Sequence, residues 1–328
     1  MMPLSERTVM VTGGSGFLAS HLVRRLVRLG AQVSVLTKYN SIIDNVRLAG
    51  LWDRIRVIEA DLRNPDSLAQ LHSLRPDVIF HFAAYNHVGD SFLHVNETIE
   101  TNLRGSVNLL ETYQDYQRFV YISSSEIYGF QESVPFRESA TPCPISPYAV
   151  GKYAGELYAR MKRHVKQQPI VVLRPFNAFG PYQSPRAVIP ELVVNALRGE
   201  DLRITEGRQT RDFNFVENLV DAFILAAEKP EAIGEVINIG SGREISIRAL
   251  TELIHGMTGS RSKLRIGAIP HRPTEIWRMA ASNEKAGRLL GWESQISLEK
   301  GLELTIEWYR RFLAEFDNPK SALCQLGG

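Results

Sequence analysis

A glycine-rich loop between a short apolar strand and an amphipathic segment is the feature that most restricts the fold of this chain. The strand is predicted over Thr8–Val11 and the helix over Phe17–Leu29, where apolar residues recur with helical spacing. Between them lies Thr12-Gly13-Gly14-Ser15-Gly16. Glycines here allow a tight turn and let the backbone approach a pyrophosphate, whose charge is stabilised by the helix N-terminus. The sequence therefore predicts a dinucleotide site at Gly13, Ser15, Gly16, Phe17 and Leu18.

Strands and helices alternate along the chain after this loop. Further strands are predicted at Gln32–Leu36, Ile55–Ile58, Val78–Phe82, Arg118–Ser123, Ile170–Leu173 and Val236–Ile239. Helices are predicted at Asp66–Leu74 (capped by Asn64-Pro65), Asn96–Tyr113, Pro147–Gln167, Pro190–Leu197, Asn218–Ala227, Ser246–Met257 and Leu298–Phe312. Nearly continuous apolar strands separated by helices are typical of a parallel sheet covered on both faces. We predict an α/β fold with a Rossmann-type, doubly wound parallel sheet.

The regular pattern loosens after residue 174, where prolines cluster at positions 175, 181, 185 and 190. We therefore predict a dinucleotide-binding domain over 1–174, with return segments near 211–240. Residues 175–210 and 241–328 are predicted to form a smaller C-terminal lobe that binds substrate. In such folds ligands bind at the carboxyl ends of the strands, and the cleft between lobes completes the site.

The composition excludes several classes of protein. Lys and Arg number 38 against 36 Asp and Glu, a net charge of +2, which argues against a polybasic nucleic-acid binder. No apolar run approaches the roughly 20 residues needed to cross a bilayer, and no signal-peptide pattern is present. Two cysteines fit a reducing compartment, and the histidines show no metal-like spacing with them. We expect a cytoplasmic enzyme without a metal, a membrane anchor or a nucleic-acid partner.

The end of the second strand bears on the type of cofactor. An acidic residue about 20 positions after the glycines would bind the ribose 2′-hydroxyl of NAD. Here the chain has Thr37-Lys38-Tyr39-Asn40, with no acid before Asp44. Lys38 is suited to the 2′-phosphate of NADP, or it is simply solvated, so NAD and NADP both stay open on this evidence. Asp61, after the third strand, is predicted to contact the adenine or to cap its own loop.

A tyrosine, a lysine and a serine cluster form the candidate catalytic set. Tyr148 and Lys152 are four residues apart, which places them on one face of the predicted helix. A phenol has a pKa near 10, and a neighbouring ammonium together with a cationic nicotinamide ring would lower it. Ser123-Ser124-Ser125, at the end of the fifth strand, offers a hydroxyl to the same reacting oxygen. Tyr148 is thus predicted to act as a base.

With these motifs in order, the sequence resembles the extended short-chain dehydrogenase/reductase family of nucleotide-sugar epimerases and dehydratases. The resemblance extends over nearly the whole chain. Its motifs are Thr12–Leu18, Asp61-Leu62, His81-Phe82-Ala83-Ala84, Asn102, Ser123–Ser125, Tyr148 with Lys152, Arg174-Pro175-Phe176-Asn177, Arg186–Pro190, Arg211-Asp212-Phe213, Arg272-Pro273-Thr274-Glu275 and Leu290-Gly291-Trp292.

The resemblance implies roles for individual residues. Tyr148 would remove a sugar hydroxyl proton, Lys152 would hold the nicotinamide ribose, and Ser124 would bond the reacting oxygen. Further cofactor contacts are implied at Lys38, Asn40, Asp61, Leu62, Ala83, Ala84, Asn102 and Phe176. Contacts to a nucleotide-diphosphate sugar are implied at His87, Asn177, Arg186, Val188, Arg211 and Arg272. The family also implies a homodimer, built through a four-helix bundle of the two long helices Asn96–Tyr113 and Pro147–Gln167.

Glu126, directly after the serines, indicates which reaction is catalysed. Nucleotide-sugar 4,6-dehydratases carry a hydroxyl residue, then Asp or Ser, then Glu at these positions. Oxidation at C4 makes the C5 proton acidic, and a carboxylate can remove it while the C6 hydroxyl leaves as water. We predict a 4,6-dehydratase with Ser125 and Glu126 among its catalytic residues. A C4 epimerase is the second hypothesis, followed by a hexuronate decarboxylase, a 4-keto reductase, and a nucleotide sensor without catalysis.

Two stretches also resemble the dehydratases of legionaminic-acid-type pathways. They are Tyr39-Asn40-Ser41 and the segment from Gln183-Ser184 through Arg186 to Pro190. That group is usually assigned NAD although it too lacks the acid after the second strand. The resemblance therefore favours NAD over NADP.

Overall fold

A seven-stranded parallel sheet forms the centre of the protein. The computed structural model describes residues 3–38, 46–271 and 274–316. The strands are β1 Thr8–Thr12, β2 Gln32–Thr37, β3 Ile55–Glu59, β4 Val78–His81, β5 Arg118–Ile122, β6 Ile170–Pro175 and β7 Val236–Ile239. Their order across the sheet is β7-β6-β5-β4-β1-β2-β3, and every neighbouring pair is parallel. All seven predicted strands and the doubly wound sheet are confirmed.

Helices pack against both faces of the sheet because alternate strand residues point to opposite sides. The helices are α1 Phe17–Leu29, α2 Leu71–Leu74, α3 Val88–Ser91, α4 Val95–Ile99, α5 Gly105–Thr112, α6 Pro147–Lys166, α7 Val188–Arg198, α8 Val216–Glu228, α9 Ile247–Thr258, α10 Glu284–Leu290 and α11 Leu298–Phe316. One hydrophobic layer joins β1 residues Val9 and Val11 to α1 and α8. The other joins Met10 to α5 and α6. No helix among the described residues has the length and apolar character needed to span a membrane.

The predicted helix Asn96–Tyr113 is interrupted. A π-helical turn at Glu100–Arg104 separates α4 from α5. Asn102 lies in this turn, and its side chain accepts from the Tyr85 amide at 2.7 Å and donates to the Tyr85 carbonyl at 3.2 Å. Such turns often occur at functional sites. Here the turn lets Asn102 fix the loop that follows β4.

The predicted helix Asp66–Leu74 is wrong as a continuous element. A 3₁₀ turn at Pro65–Leu68 precedes the short α2, although Asn64 caps the Asp66 amide as expected. Ser67 and Gln70 account for the break, because their side chains bond to backbone carbonyls of Asp61, Asn64, Ser67 and Glu59. Side chains of this type compete with the helical hydrogen bonds.

Three pairs of short strands build the part of the chain after β6. Ala178–Phe179 pairs with Asn214–Phe215, Thr210–Arg211 with Ile245–Ser246, and Leu202–Ile204 with Leu264–Ile266. These strands are too short to show an alternation of apolar and polar residues, so the sequence did not predict them. Helix α10 was not predicted either. Residues 211–240 return to the main sheet, where β7 pairs with β6 and α8 packs against the sheet. The division into a domain at 1–174 and a lobe stays a prediction.

A cluster of charged side chains ties α1 to α8 and to the loop after β6. Glu217 accepts a 2.8 Å hydrogen bond from Arg25, and its other oxygen lies 3.2 Å from His21 Nδ1. The second ring nitrogen of His21 lies 2.9 Å from the Pro181 carbonyl. Burial acts to raise the pKa of Glu217, but His21 and Arg25 outweigh it and hold that pKa at about 2. The cluster therefore anchors one wall of the cleft described below.

Glu217→Gln is expected to lower the free energy of unfolding at pH 7 by about 1–2 kcal/mol, after allowance for partial exposure. The folded-state pKa of Glu217 is depressed, so its contribution is complete above the unfolded value of about 4.3 and is lost as the pH falls through about 2. Urea unfolding should thus show a smaller difference between wild type and variant at pH 3 than at pH 7. Glu307→Gln, an exposed ion-pair carboxylate on α11, is the control and should change stability by less than about 0.5 kcal/mol. A difference that does not depend on pH would contradict this account.

Candidate active site

The glycine loop takes the geometry that a pyrophosphate site requires. Gly13 has a φ of 65° and donates to the Leu36 carbonyl at 2.8 Å. A side chain at Gly13 would meet the Ala83 backbone at 2.8 Å, so only glycine fits between β1 and the loop after β4. Gly16 caps α1 without a side-chain hydrogen bond to the first turn. The first N–H groups of α1 are thus suited to bind an anion.

A cleft of about 770 Å³ lies at the carboxyl ends of the strands. Its volume is in the range of small-molecule sites. Residues from the loops after β1, β2, β3, β4 and β5 share this cleft with the segment 175–187. The predicted cofactor residues that line it are Gly13, Ser15, Gly16, Phe17, Leu18, Lys38, Asp61, Leu62, Ala83, Ala84, Tyr148, Lys152 and Phe176. Asn102 is not among the lining residues, and Asn40 lies outside the described residues.

Charged side chains of both signs surround the end of the cleft after β2. Arg63 pairs with Asp61 at 2.5 Å, and both Lys38 and Arg63 approach Glu97, at 3.7 and 3.6 Å. The Arg63 hydrogen bond lowers the pKa of Asp61. Lys38 therefore faces a carboxylate inside the cleft. The sequence reasoning missed Arg63 and Glu97, because Glu97 reaches this end only through the placement of α4.

Tyr148 and Ser124 both line the cleft. Ser146 caps α6 by accepting from the Ala149 amide at 3.1 Å, and Pro147 opens the helix, so Tyr148 lies in its first turn. Burial and the charge of Glu126 raise the pKa of Tyr148 to about 12, although the Ser124 side chain acts in the opposite direction. The phenol is thus protonated at neutral pH unless added positive charge stabilises the phenolate.

Lys152 lies one turn further along α6, as the spacing of four predicts. Its ammonium is 5.1 Å from the centre of the Tyr121 ring, within the range of a cation–π contact. Burial lowers the pKa of Lys152 to about 7, and the charge of Glu156 counters that effect. The cleft therefore holds a lysine whose charge depends on its surroundings.

Glu126 is presented on a short, firmly held turn. The 3₁₀ turn Ser125–Tyr128 begins at Ser124, whose hydroxyl accepts from the Glu126 amide at 3.2 Å. The Tyr128 hydroxyl donates to Asn238 at 2.7 Å, which fixes the end of the turn. Glu126 is half-buried and lines the cleft together with Ser124 and Tyr148. The cleft thus brings together a hydroxyl, a phenol, an ammonium and a carboxylate.

Comparisons with known proteins show the family of the chain. The family model of GDP-mannose 4,6 dehydratase matches residues 10–305. The chain belongs to this family. It is 30% identical to dTDP-D-glucose 4,6-dehydratase from Bos taurus over 97% of this chain and 92% of the relative. The family is one of nucleotide-sugar dehydratases and epimerases of the extended short-chain dehydrogenase/reductase type, so the resemblance found in the sequence is confirmed.

Two solved structures are closely similar. The UDP-glucose 4-epimerase of Thermotoga maritima, solved with UDP-glucose, has a TM-score of 0.87 at 32% identity and aligns with 93% of this chain and 99% of its own. The dTDP-glucose 4,6-dehydratase DesIV of Streptomyces venezuelae, solved with NAD bound, has a TM-score of 0.85 at 31% identity, with 93% and 97% covered. Dehydratases and epimerases are therefore both close in structure to this family member.

The predicted catalytic residue Ser125 is placed differently from Ser124. Ser125 is buried, and its hydroxyl donates to the sulfur of Met279 at 3.4 Å. Dehydratases with Asp at this position have a second carboxylate next to Glu126, whereas this family member has a hydroxyl bound to a thioether. Sequence alone could not place Met279, since it lies 154 positions away.

The predicted substrate residues divide into two groups. His87, Asn177 and Arg186 line the cleft, and Arg186 pairs with Asp90 at 2.8 Å. Val188 begins α7 and is not among the lining residues, and Arg211 instead pairs with Glu275 at 2.7 Å and donates to the Ile276 carbonyl at 2.6 Å. Arg272 lies outside the described residues. The individual roles of the site residues stay predictions.

Proposed function

We propose that this protein is a nucleotide-sugar 4,6-dehydratase that converts a nucleoside-diphosphate hexose to its 4-keto-6-deoxy derivative. The observation that carries the proposal is the Glu126 carboxylate in the same cleft as Tyr148 and Ser124. An epimerase needs to remove and return hydride at C4 only, whereas elimination across C5 and C6 also needs a group that takes the C5 proton. Glu126 supplies such a group.

The residues act in sequence on the sugar. Tyr148, as phenolate, takes the proton of the C4 hydroxyl while Ser124 bonds the same oxygen. The glycine loop and the start of α1 would hold NAD, which would supply a hydride acceptor at C4 and a hydride donor at C6. Glu126 takes the C5 proton and gives it to the C6 hydroxyl, which leaves as water. C5 finally gains a proton from solvent exchanged through Glu126, so one carboxylate serves both steps, and acid–base help of this kind is worth about 10²–10⁴-fold.

The charges at the far end of the cleft support NAD as the cofactor. A 2′-phosphate near Lys38 would also approach the carboxylates of Glu97 and Asp61. Like charges in such a site are costly, whereas a ribose hydroxyl can donate to a carboxylate. Gly16 and the uncapped start of α1 suit the pyrophosphate. DesIV, with 31% identity, was solved with NAD.

The experiment that tests the function is mass spectrometry of products from a panel of nucleoside-diphosphate hexoses in D₂O. We expect one sugar to yield a species that has lost one water and carries deuterium at C5. An isomer of unchanged mass without solvent deuterium would overturn the proposal in favour of a C4 epimerase. Loss of CO₂ from a hexuronate would indicate a decarboxylase, and no conversion of any sugar would favour a sensor.

A C4 epimerase is the second candidate. Position 125 is a serine, whose hydroxyl bonds to Met279. The site therefore lacks the acid that some dehydratases place beside the glutamate. The T. maritima epimerase is as similar in structure as the dehydratase DesIV. The product mass separates the two candidates directly.

We also propose that the protein is a homodimer through α4, α5 and α6, as the family resemblance implies. Leu157, Met161 and Val165 recur every four residues on α6 and are 45, 40 and 61% exposed. They form one apolar stripe, and a contiguous exposed stripe of this kind indicates an interface. Because each side chain is already about half covered, completing its burial would contribute roughly 1 kcal/mol.

The paired change Leu157→Glu and Met161→Glu is expected to convert the dimer to a monomer, because it places charges in the centre of the interface. Light scattering coupled to gel filtration measures the mass. Leu304→Glu, at a 39% exposed leucine of α11, is the matched control and should leave the dimer intact. A wild-type protein that elutes as a monomer at micromolar concentration would refute the proposal.

A further inference from the structure

A buried ion network lies beneath the catalytic residues. Glu156 is completely buried, one turn after Lys152 on α6. One of its carboxylate oxygens accepts from the Ser123 hydroxyl at 2.7 Å and from Arg174 Nε at 3.1 Å, and the other accepts from a second Arg174 nitrogen at 2.5 Å. Arg174 is itself buried and also donates to the Tyr128 hydroxyl at 2.7 Å. The network thus joins α6 to β5, β6 and the turn that presents Glu126.

Lys152 makes no close ion pair among the described residues. Among the described residues, no carboxylate oxygen lies within 4.0 Å of its ammonium. Its other close neighbour is the Tyr121 ring, and the Tyr121 hydroxyl donates to the Lys152 carbonyl at 3.0 Å. Glu156 follows Lys152 by four positions, so the two residues share one helix face. Glu156 is therefore the carboxylate built into the helix on the side of Lys152.

We propose that Glu156 is a positioning residue, whose negative charge one helical turn away favours the ammonium form of Lys152 while its contact with Ser123 fixes the strand end that carries Ser124. The inference deepens the proposed function, because the use of Lys152 to hold the cofactor ribose and to assist Tyr148 rests on it. The positive charge of Arg174 works against this effect of Glu156 on Lys152. It neutralises part of the carboxylate's charge and so limits how strongly Lys152 is held in the charged form.

Other groups around Lys152 do not replace Glu156. Tyr148 precedes Lys152 on α6 and is neutral as a phenol, since its pKa is raised by burial. Burial and the Lys152 charge lower the pKa of His81, on β4, to about 3, so that imidazole is neutral as well. Polar groups near Lys152 include Tyr121, Ser123, Ser124 and Asn102. The charged groups on the elements packed against α6 are Asp90 on α3, Glu97 on α4, Glu100 and Arg104 in the π turn, Glu111 on α5, Arg174 on β6 and Glu126 in the turn after β5. On α6 itself, Arg160 lies 3.6 Å from Glu156 and remains in both variants described below.

The test reads the charge of Lys152 directly, without turnover. The free enzyme is labelled with acetic anhydride over a range of pH, and the midpoint for Lys152 is read by peptide mass spectrometry. In Glu156→Gln we expect the pKa of Lys152 to fall by about one pH unit, because a counter-charge is lost and Arg174 remains. In Arg174→Gln we expect the pKa of Lys152 to rise, because the Glu156 charge is less neutralised.

The opposite signs distinguish this role from a merely structural one. Both variants disturb the same ion pair, so damage to the fold would shift Lys152 in the same direction in both. Lys162 lies on α6 like Lys152 and pairs with Glu111 of α5. It is an internal reference, and its labelling midpoint should not change in either variant. If Glu156→Gln fails to fold, Arg174→Gln alone must still raise the midpoint. Shifts of the same sign, or no shift in either variant, would overturn the proposal.

Failure of the proposed function can be told apart from failure of this inference. The labelling midpoints do not depend on which sugar, if any, is converted. If a product is found, the pH profile of kcat/KM should move in the same two directions as the labelling. If no sugar is converted while the midpoints move as expected, the function is wrong and the role of Glu156 stands.

Discussion

Replacing Tyr148 by phenylalanine is expected to lower turnover by about 10²–10⁴-fold and to leave NAD affinity nearly unchanged. The change removes the hydroxyl that is proposed to take the sugar proton, but it keeps the ring in the first turn of α6. Product formation by mass spectrometry gives the rate, and calorimetric titration gives the affinity for NAD. A small effect on both would identify another residue as the base.

Tyr158→Phe is the matched control for this prediction. Tyr158 lies on the same helix, and its hydroxyl donates to Glu111 at 2.5 Å, outside the residues that line the cleft. The loss of this hydrogen bond should cost about 1 kcal/mol of stability or less. The Tyr158→Phe variant should turn over substrate at the wild-type rate. Equal losses in Tyr148→Phe and Tyr158→Phe would indicate general damage to α6 and would refute the assignment of Tyr148.

Glu126→Gln is expected to stop the elimination by a similar factor, about 10²–10⁴-fold, while oxidation at C4 continues. The amide keeps the size of the side chain but cannot take the C5 proton. Reduced nicotinamide should therefore build up during a single turnover, which its absorbance reports. In D₂O the substrate should gain no deuterium at C5.

Glu132→Gln provides the comparison for the Glu126 experiment. Glu132 is exposed in the loop that follows the Glu126 turn and is not among the cleft residues. The Glu132→Gln variant should eliminate water from the substrate at the wild-type rate. Should Glu126→Gln also do so, Glu126 is not the group at C5, and the dehydratase proposal loses the observation on which it depends.

The first half of the fold could be predicted because its signals are local. The strand, loop and helix from Thr8 to Leu29 follow from glycines and apolar spacing, and the pairing of Tyr148 with Lys152 follows from the helical repeat. The end of β2 was harder. Its lysine is visible in the sequence, but the approach of Glu97 to Lys38 depends on where α4 packs.

Long-range contacts explain the rest of what could not be predicted. The Ser125 hydroxyl bonds to Met279, and Glu156 pairs with Arg174. Both contacts depend on the order of the strands in the sheet. The π turn depends on the bond between Asn102 and Tyr85. Arg211 resembles a diphosphate ligand in sequence, yet it pairs with Glu275 because residues 274–279 pass close to it. None of these partners is marked by periodicity or by a motif.

The place of β7 in the sheet has a consequence for synthesis of the chain. β6 is hydrogen-bonded on its outer side to β7, and Arg118 of β5 donates to the carbonyls of Ala226 and Lys229 at the end of α8. A nascent chain that has reached residue 174 therefore has an open sheet edge and an uncovered apolar face, both of which favour aggregation. We therefore expect cooperative folding to require the return segment, and a fragment cut at residue 174 to be unstable.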